Sequence, residues 1–327
     1  MSNRSSEKSS PEKMAGVASV GERPRISVII PHLDQPDALK LCLASLIETE
    51  GSPRFEVIVV DNGSRLLPIE TCARFDARLI VQPTPGPGPA RNLGAAHARG
   101  EILAFIDADC VAGAGWLADI DGCFRDNPQT PIVGGDVRIG MVDPARPSWL
   151  EAYESVFAYR MKEYIARQGF TGTGNLAVWA RVFKAVGPFG GIEIAEDRDW
   201  GQRALRLGYR THYRSSMIVY HPARKSFDEI ATKWRRHVAH DFQAMRARRA
   251  WWPRWMLRTA AVAASPAAEI VRIAFSRRIS GLRTRALAFG GVVTVRAYRA
   301  GLMLSLGLGA TGPRGAAAQW NRGELPG

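Results

Sequence analysis

The chain has 327 residues, of which 46% are hydrophobic and 23% charged, and its formal net charge is +13. These values are ordinary for a globular protein with one large domain or two smaller ones. The four cysteines form no C-x-x-C pair and lack a histidine at zinc-like spacing, which argues against a zinc site. They predict reduced, mostly buried thiols in a cytosolic protein.

The excess positive charge is confined to the last third of the chain. Residues 1–221 contain 25 Lys and Arg against 26 Asp and Glu, whereas residues 222–327 contain 19 against five. This asymmetry indicates an anionic partner or surface. Residues 1–24 are polar and lack the apolar core of a signal peptide, so they predict a disordered tail. No uninterrupted run of 18 apolar residues occurs, so no transmembrane helix is expected.

Taken in order, the chain alternates strand and helix patterns. The predicted strands lie at residues 25–31, 55–60, 78–81, 102–106 and 131–137. Helices are predicted at residues 36–47, from about residue 89, and at about residues 115–125. Strands that are apolar throughout and alternate with helices predict a parallel sheet covered on both faces. In such sheets, ligands bind outside the carboxyl ends of the strands.

Two carboxylates follow the strand at residues 102–106. Asp107 and Asp109 are two residues apart, so in an extended chain both point to the same side. Like charges this close are unfavourable unless a cation joins them, and such ligands suit Mg²⁺ or Mn²⁺ together with phosphate oxygens. An Asp-rich turn without a ligand is the alternative. Asp61 also follows a strand, and this coincidence at one sheet edge favours a functional site.

Several segments resemble family 2 glycosyltransferases of the GT-A fold. In chain order they read S-V-I-I-P, V-V-D-N-G-S, G-P-A-R-N-L-G-A-A, F-I-D-A-D, G-T-G-N-L-A-V, A-E-D-R-D and V-Y-H. The resemblance covers residues 25–225, the predicted catalytic domain of an α/β protein. It implies a metal-dependent, inverting hexosyltransferase of polysaccharide biosynthesis. The implied reaction moves a sugar from a nucleoside diphosphate, with a UDP-sugar favoured, to a hydroxyl of a glycan or lipid-linked acceptor.

The resemblance also implies a donor site. Its residues would be Pro31, Asp61, Arg91, Asp107 and Asp109. Asp61 would contact the nucleotide base, although the sequence D-N-G-S also predicts a simple turn. Arg91 would lie near the donor phosphates, beside a glycine-rich loop that could equally be only a connection.

A Mn²⁺ or Mg²⁺ site is implied beside the donor. Asp109 would be the direct ligand, with Asp107 nearer the ribose or in a supporting position, and His221 would add a further ligand. The metal would bridge the two phosphates and neutralise charge as the nucleoside diphosphate leaves. A purely structural histidine beside a proline is the alternative for His221.

The resemblance implies that Asp197 takes the proton of the acceptor hydroxyl. The acceptor-side residues it implies are Asn175, Glu196 and Trp200. Acidic residues also favour helix N-termini for structural reasons, which is the alternative for this cluster. If the surrounding segment is helical, Asp199 points away from Asp197.

The resemblance ends near residue 225, and residues 226–327 form a basic region of predicted amphipathic helices. Apolar stretches of about ten residues are broken by arginine, and tryptophans lie at positions 251, 252 and 255. This pattern favours peripheral association with the cytoplasmic face of a membrane. A helical appendage is the alternative, and nucleic-acid binding is disfavoured because no known module is present.

Two other function classes fit the sheet pattern. A nucleotidyltransferase would carry a Gly-rich, basic loop after its first strand, where this chain reads P-H-L-D-Q-P. A non-catalytic nucleotide-sugar binder would not need both Asp109 and Asp197. The sequence therefore favours a glycosyltransferase over both.

Overall fold

The computed structural model describes residues 23–47, 52–192 and 194–309, in which the chain forms two compact units. One unit contains the described residues up to Arg138 together with Tyr159–Pro222, and the other contains Ile139–Ala158 together with the described residues from Ala223 onward. We predicted one boundary near residue 225, whereas residues 139–158 belong with the later helices. The tail predicted at residues 1–24 lies, except for its last two residues, outside the described residues.

An eight-stranded sheet forms the centre of the first unit. Its strands are β1 (Ile26–His32), β2 (Phe55–Asp61), β3 (Arg78–Val81), β4 (Ile102–Ile106), β5 (Val111–Ala112), β6 (Ile132–Gly140), β7 (Asn175–Trp179) and β8 (Thr211–Pro222). The strand order is β3-β2-β1-β4-β7-β6-β8-β5. β1 to β4 pair in parallel, while the pairs β4–β7, β6–β7 and β5–β8 are antiparallel. The predicted α/β sheet is confirmed, and it is a mixed one.

Twelve helices are present in the described part of the chain. They are α1 (Pro36–Ile47), α2 (Ile69–Arg74), α3 (Pro87–His97), α4 (Trp116–Asp126), α5 (Trp149–Phe157), α6 (Met161–Gln168), α7 (Ala180–Val186), α8 (Glu196–Arg206), α9 (Phe227–Arg246), α10 (Trp251–Ala264), α11 (Pro266–Ala274) and α12 (Leu282–Gly307). Local sequence explains where two of these helices begin. Proline occupies the first turn of α3, where its missing N–H costs nothing. Ser148 and Glu151 form a capping box at α5.

The core of the first unit lies on both faces of the sheet. All residues of β2, β4 and β7 are buried, which explains why these strands read as continuous apolar runs. Phe105 of β4 packs edge-on against Phe189, with 5.4 Å between the ring centroids. Because β2 and β4 both pair in parallel with β1, their carboxyl ends lie at one edge of the sheet, where the polar residues described below lie.

The second unit consists of α5 and α9–α12. Its core includes Leu150, Ile230 and Val292, and Trp255 is fully buried in a smaller neighbouring cluster. Helix α12 packs against α5, α9, α10 and α11. By length and composition alone, α12 could cross a membrane, and 33% of its most apolar stretch is buried inside the protein. Arginines interrupt this helix, so its sequence contains no unbroken apolar run of 18 residues.

Candidate active site

Polar side chains from three neighbouring parallel strands meet at the carboxyl edge of the sheet. His32 ends β1 and lies opposite Asp61, the last residue of β2. Asp107 directly follows β4, which pairs with β1 on its other side. The register of the strands therefore brings together residues that are far apart in the sequence, at the edge where such sheets bind ligands.

Asp61 is completely buried, and its carboxylate oxygens contact two backbone N–H groups of one turn and the ring of His32. Its Oδ1 accepts from the backbone N–H of Gly63 at 3.1 Å and of Ser64 at 2.9 Å. Its Oδ2 lies 2.9 Å from Nδ1 of His32. The N–H of Gln35 donates to Nε2 of His32, so the ring proton is on Nδ1 and points to Asp61. Burial raises the pKa of Asp61, but these hydrogen bonds outweigh it and hold the pKa below its ordinary value.

Arg91 of α3 joins two of the predicted site carboxylates. The guanidinium donates to Oδ1 of Asp107 at 2.5 Å and also to Glu196, the first residue of α8. Arg91 is only 4% exposed. Burial lowers its pKa, but the two carboxylates raise it by more, so Arg91 stays charged. Arg91 and Glu196 therefore neutralise one another and position Asp107, instead of presenting free charges to a ligand.

Two glycines allow this arrangement because the chain passes very close to other atoms. A Cβ on Gly174 would lie 2.6 Å from Oδ2 of Asp107. A Cβ on Gly88 would lie 2.1 Å from the carbonyl oxygen of Gly190. Neither position can accept a side chain without displacing its neighbour. The Asp107 carboxylate is thus confined between Gly174 and Arg91.

Asp109 and His221 form the best candidate metal centre. Oδ2 of Asp109 lies 3.4 Å from Nε2 of His221, and these two residues group with Cys110. His221 Nδ1 lies 2.7 Å from the carbonyl oxygen of Pro222, which can only accept a hydrogen bond. In the neutral ring, the proton is therefore on Nδ1, and the Nε2 lone pair faces a carboxylate oxygen. A proton on Nε2 or a metal ion would satisfy both atoms, and an imidazole with a carboxylate is a ligand pair that fits Mn²⁺ or Mg²⁺.

The surroundings of this pair support the same interpretation. The pKa of Asp109 is raised above its ordinary value. Burial and the neighbouring Asp107 raise it, and His221 lowers it by less. The Cys110 thiol is buried, and burial and the adjacent aspartates raise its pKa well above the ordinary value, so it stays protonated. The ring of Tyr159 packs against that of His221, with 4.7 Å between the centroids and 35° between the ring planes. Cys110 is therefore a hydrogen-bond donor to Asp109, at 3.6 Å, and not a third ligand.

Asp197 lies in the first turn of α8 and is half-buried. Its Oδ1 accepts the backbone N–H of Arg198 at 2.7 Å. Burial raises the pKa of Asp197 above its ordinary value, although that hydrogen bond and Arg91 oppose the shift, and Asp107 adds to it. Asp199 pairs instead with Arg203 at 2.8 Å, one turn along the helix. Asp197 is thus the carboxylate of this helix turn that lacks a side-chain cation partner among the described residues.

The glycine-rich loop at residues 187–191 is held in place before α8 by three side chains. The amide of Asn92 exchanges two hydrogen bonds with the backbone of Phe189. The Trp200 indole donates to the carbonyl of Gly187 at 2.9 Å, and Arg203 donates to the carbonyls at 186 and 188. Trp200 is 2% exposed, so it is a buried anchor of this loop and does not face an acceptor as predicted.

Asn175 is likewise placed differently from the prediction. It is fully buried, and its amide donates to the carbonyls of Asp136 and Met217 and accepts from the Trp116 indole, each at 2.9 Å. All of its hydrogen-bonding groups therefore serve the protein, and it supports the sheet below the site. Pro31 is half-buried beside His32 at the end of β1.

Three residues of this site were missed from the sequence. His32 orients Asp61, Asn92 fixes the glycine-rich loop, and Tyr159 packs against His221 with its ring tilted. The segment N-L-G around Asn92 formed part of the quoted motif, so the signal was present there. For Tyr159 there was none, since its contact joins residues 62 positions apart.

Comparisons with known proteins show which family the chain resembles. The family model "Glycosyl transferase family 2" matches residues 27–184. The glycosyltransferase AglE of Haloferax volcanii is 34% identical over 222 residues, which are 64% of this chain and 70% of AglE. The pre-mycofactocin glycosyltransferase of Mycobacterium tuberculosis is 28% identical over 221 residues, which are 64% of this chain and 45% of that protein.

A solved structure shows a similar fold. It is the mannosyltransferase PcManGT of Pyrobaculum calidifontis in complex with GDP-Man and Mn²⁺. The TM-score is 0.54 at 20% identity, and the match covers 88% of this chain and 89% of the other. At this identity the likeness shows a GT-A-type α/β fold.

Proposed function

Because the chain belongs to glycosyltransferase family 2 and is a glycosyltransferase, we propose that it moves a sugar from a nucleoside diphosphate to an acceptor hydroxyl, with inversion and with a divalent metal. The observation that carries this proposal is the separation of roles among the carboxylates at the sheet edge. Asp107 is ion-paired, Asp109 faces a histidine lone pair, and Asp197 is left to act as a base.

Asp109 and His221 are the residues that we propose hold Mn²⁺ or Mg²⁺, with Asp107 beside them. The metal supplies positive charge that stabilises the departing nucleoside diphosphate. The hydrogen bond from His221 to Pro222 holds the ring so that its free nitrogen faces Asp109. The complex of the structurally similar mannosyltransferase with GDP-Man and Mn²⁺ supports this choice of donor class and cofactor.

Asp197 is proposed as the base. As the acceptor oxygen attacks the anomeric carbon, the bond from that carbon to the phosphate oxygen breaks, and the hydroxyl proton passes to the Asp197 carboxylate. A pKa raised by burial makes this carboxylate a stronger proton acceptor than an exposed aspartate. Hydrogen bonds from Asn92 and Trp200 hold the glycine-rich loop in place. The loop in turn fixes the start of α8 and therefore the position of Asp197.

The nucleotide of the donor is left to experiment. The sequence favours UDP, while the similar solved structure contains GDP-Man. Asp61 is completely buried in the described structure, so we propose that it shapes the base site mainly by fixing the turn at Gly63 and Ser64. Pro31 and Arg91 would border the donor, with Arg91 acting through Asp107 and Glu196.

The deciding experiment is a panel of UDP- and GDP-sugars, assayed for hydrolysis with Mn²⁺, with Mg²⁺ and with a chelator. We expect release of a nucleoside diphosphate that needs the metal and that Asp109→Asn abolishes. Release of pyrophosphate would identify a nucleotidyltransferase instead. Full activity in the chelator would contradict the metal assignment, and binding without turnover of any donor would leave a nucleotide-sugar binding protein.

We also propose that the second unit docks the enzyme on the cytoplasmic face of an anionic membrane, where a lipid-linked saccharide or other glycan is the acceptor. Its described residues contain 18 Lys and Arg against seven Asp and Glu. Large apolar side chains are also exposed on α10–α12 and the adjoining segments, including Leu257 at 74%, Phe275 at 81% and Leu282 at 86%. Positive charge beside exposed apolar residues favours binding at the membrane interface.

A further inference from the structure

Arg299 of α12 is a buried cation without an anionic partner. It is 8% exposed, and its Cζ lies 3.6 Å from the ring centroid of Trp234 on α9. Its Nε is buried and makes no hydrogen bond. Among the described residues, no carboxylate forms an ion pair with its guanidinium. A buried charge normally requires such a partner, so this position needs an explanation.

The acidic side chains of the same unit are already engaged with other arginines. The ion pairs are Glu154–Arg224, Asp241–Arg258 at 2.6 Å and Glu269–Arg296 at 3.3 Å. Burial, and then the positive charge of Arg296, lower the pKa of Arg299 to about 10. A lowered pKa is expected for a cation whose charge is poorly compensated.

Arg296 adds positive charge next to the guanidinium, and the imidazole of His237 interacts with it from the neighbouring helix α9. Lys233 and His237 lie one turn apart on α9 and are exposed, and Arg296 lies one turn before Arg299 on α12. Burial, and then the charges of Lys233 and Arg299, lower the pKa of His237, so its ring is uncharged at neutral pH. Trp234 covers one face of the Arg299 guanidinium. Of the guanidinium nitrogens, only Nε is both buried and without a hydrogen bond. The edge of the guanidinium is therefore the part left for a ligand.

We propose that Arg299, with Arg296 and His237 near it, is a receptor for a phosphate group. A guanidinium presents parallel N–H groups whose geometry matches phosphate oxygens, and a phosphate would supply the negative charge that this buried guanidinium lacks. The indole of Trp234 holds the guanidinium in one plane, so little side-chain freedom is lost on binding. The phosphate could belong to a lipid headgroup or to a soluble phosphate compound. Only the lipid source rests on the proposed membrane docking.

The test uses the full chain and two forms of the ligand. Calorimetric titration with inorganic phosphate and pyrophosphate, at constant ionic strength in chloride, measures the soluble form. Flotation with phosphatidylcholine vesicles that contain phosphatidic acid measures the lipid form, and vesicles with phosphatidylglycerol at equal charge serve as the comparison. Arg299→Met removes the receptor cation, and Arg283→Gln removes an exposed arginine from the same helix as the matched control.

We expect Arg299→Met to weaken binding of the phosphate ligand by about tenfold to a hundredfold, the loss typical of hydrogen bonds to a charged group. Arg283→Gln should change it by less than about twofold, as for a single exposed charge. Binding of inorganic phosphate as tight as that of phosphatidic acid indicates a soluble ligand. Preference for phosphatidic acid over both inorganic phosphate and phosphatidylglycerol indicates a lipid headgroup.

Two further measurements test the proposal even if Arg299→Met does not fold. Arg299→Lys retains the charge without the two parallel N–H groups and should show intermediate binding. Phosphate should raise the melting temperature of the unmodified chain more than chloride at the same ionic strength. Equal losses in the Arg299 and Arg283 variants, or no binding of any phosphate ligand by the unmodified chain, would overturn the proposal. Hydrolysis of the soluble donor should be unchanged in the Arg299 variants, which separates this test from that of the transferase.

Discussion

Arg91 donates to Asp107 at 2.5 Å and thereby fixes the carboxylate that follows β4 to helix α3. The same guanidinium pairs with Glu196, so one buried cation connects α3, β4 and α8. The start of α8 carries Asp197, which means that Arg91 influences both the donor side and the base side of the site without being exposed itself.

Replacing Arg91 with Gln should therefore destabilise the fold as well as the site. Two partly buried carboxylates would lose their cation, and breaking a buried pair in this way costs about 3–5 kcal/mol. Arg65→Gln is the control, because Arg65 pairs with Asp34 while 81% of its side chain is exposed, and a loss of at most about 1 kcal/mol is expected there. Urea denaturation measures both. Equal effects of the two substitutions would contradict the structural role of Arg91.

Asp197→Asn should lower the rate of transfer by about a hundredfold or more, because the amide cannot accept the acceptor proton. The KM for the donor should change little. Asp199→Asn is the matched control in the same helix turn, since its partner is Arg203. Initial rates with a soluble acceptor measure both variants. Retention of most of the transfer rate by Asp197→Asn would assign the base elsewhere.

The pH profile of transfer should show the raised pKa of Asp197. The base works only when ionised, so activity should rise with pH through the pKa of this carboxyl. Burial raises that pKa above the ordinary aspartate value, so the acidic limb should lie at a higher pH than for an exposed aspartate. An acidic limb at or below the ordinary aspartate value would contradict the burial of Asp197.

Gly174→Ala should reduce activity through Asp107. The new Cβ would lie 2.6 Å from Oδ2 of Asp107, so the carboxylate or the backbone must move. A misplacement of about 1 Å at a catalytic site can cost about a hundredfold in rate. Gly122→Ala in α4 is the control, because a Cβ there meets only the end of Arg125 at 4.0 Å and alanine favours a helix. Steady-state rates and melting temperatures of both variants separate an effect on the site from unfolding.

Asp61 should contribute to stability in a pH-dependent way. Its pKa is lower in the folded chain than in the unfolded one, so its contribution is complete above the unfolded pKa, near 4. It is lost as the pH falls through the lower folded pKa. The difference in free energy of unfolding between the unmodified chain and Asp61→Asn should therefore shrink in acid. A difference that is constant from pH 7 to about pH 2 would show that ionisation of Asp61 does not stabilise the fold.

Membrane docking predicts a specific effect of the exposed apolar residues. Phe275→Ser together with Leu282→Ser should weaken flotation with anionic vesicles, especially in high salt, where apolar insertion persists after charge attraction is screened. Leu66→Ser, an 86% exposed leucine of the first unit, is the control and should have no effect. If the chain never floats with anionic vesicles, the second unit serves another purpose.

The sequence by itself determined the elements and the chemical character of the site. The strands that end at Asp61 and Asp107 read as apolar, β-branched runs because both of their faces are buried, and a buried strand must be apolar whatever its neighbours are. The order of polar residues after these strands indicated a ligand site at the carboxyl edge of the sheet, and the family followed from the same motifs.

Only the tertiary structure decided how the polar side chains of that site are used. Asn175 and Trp200 are polar or amphipathic residues within motifs, yet both are buried and bonded to the backbone of other segments. Arg91, predicted near phosphates, is enclosed by two carboxylates, and His32 and Tyr159 acquire their roles from Asp61 and His221. Hydrogen bonds and ion pairs depend on distances of a few ångströms between remote segments, and local sequence does not encode such distances.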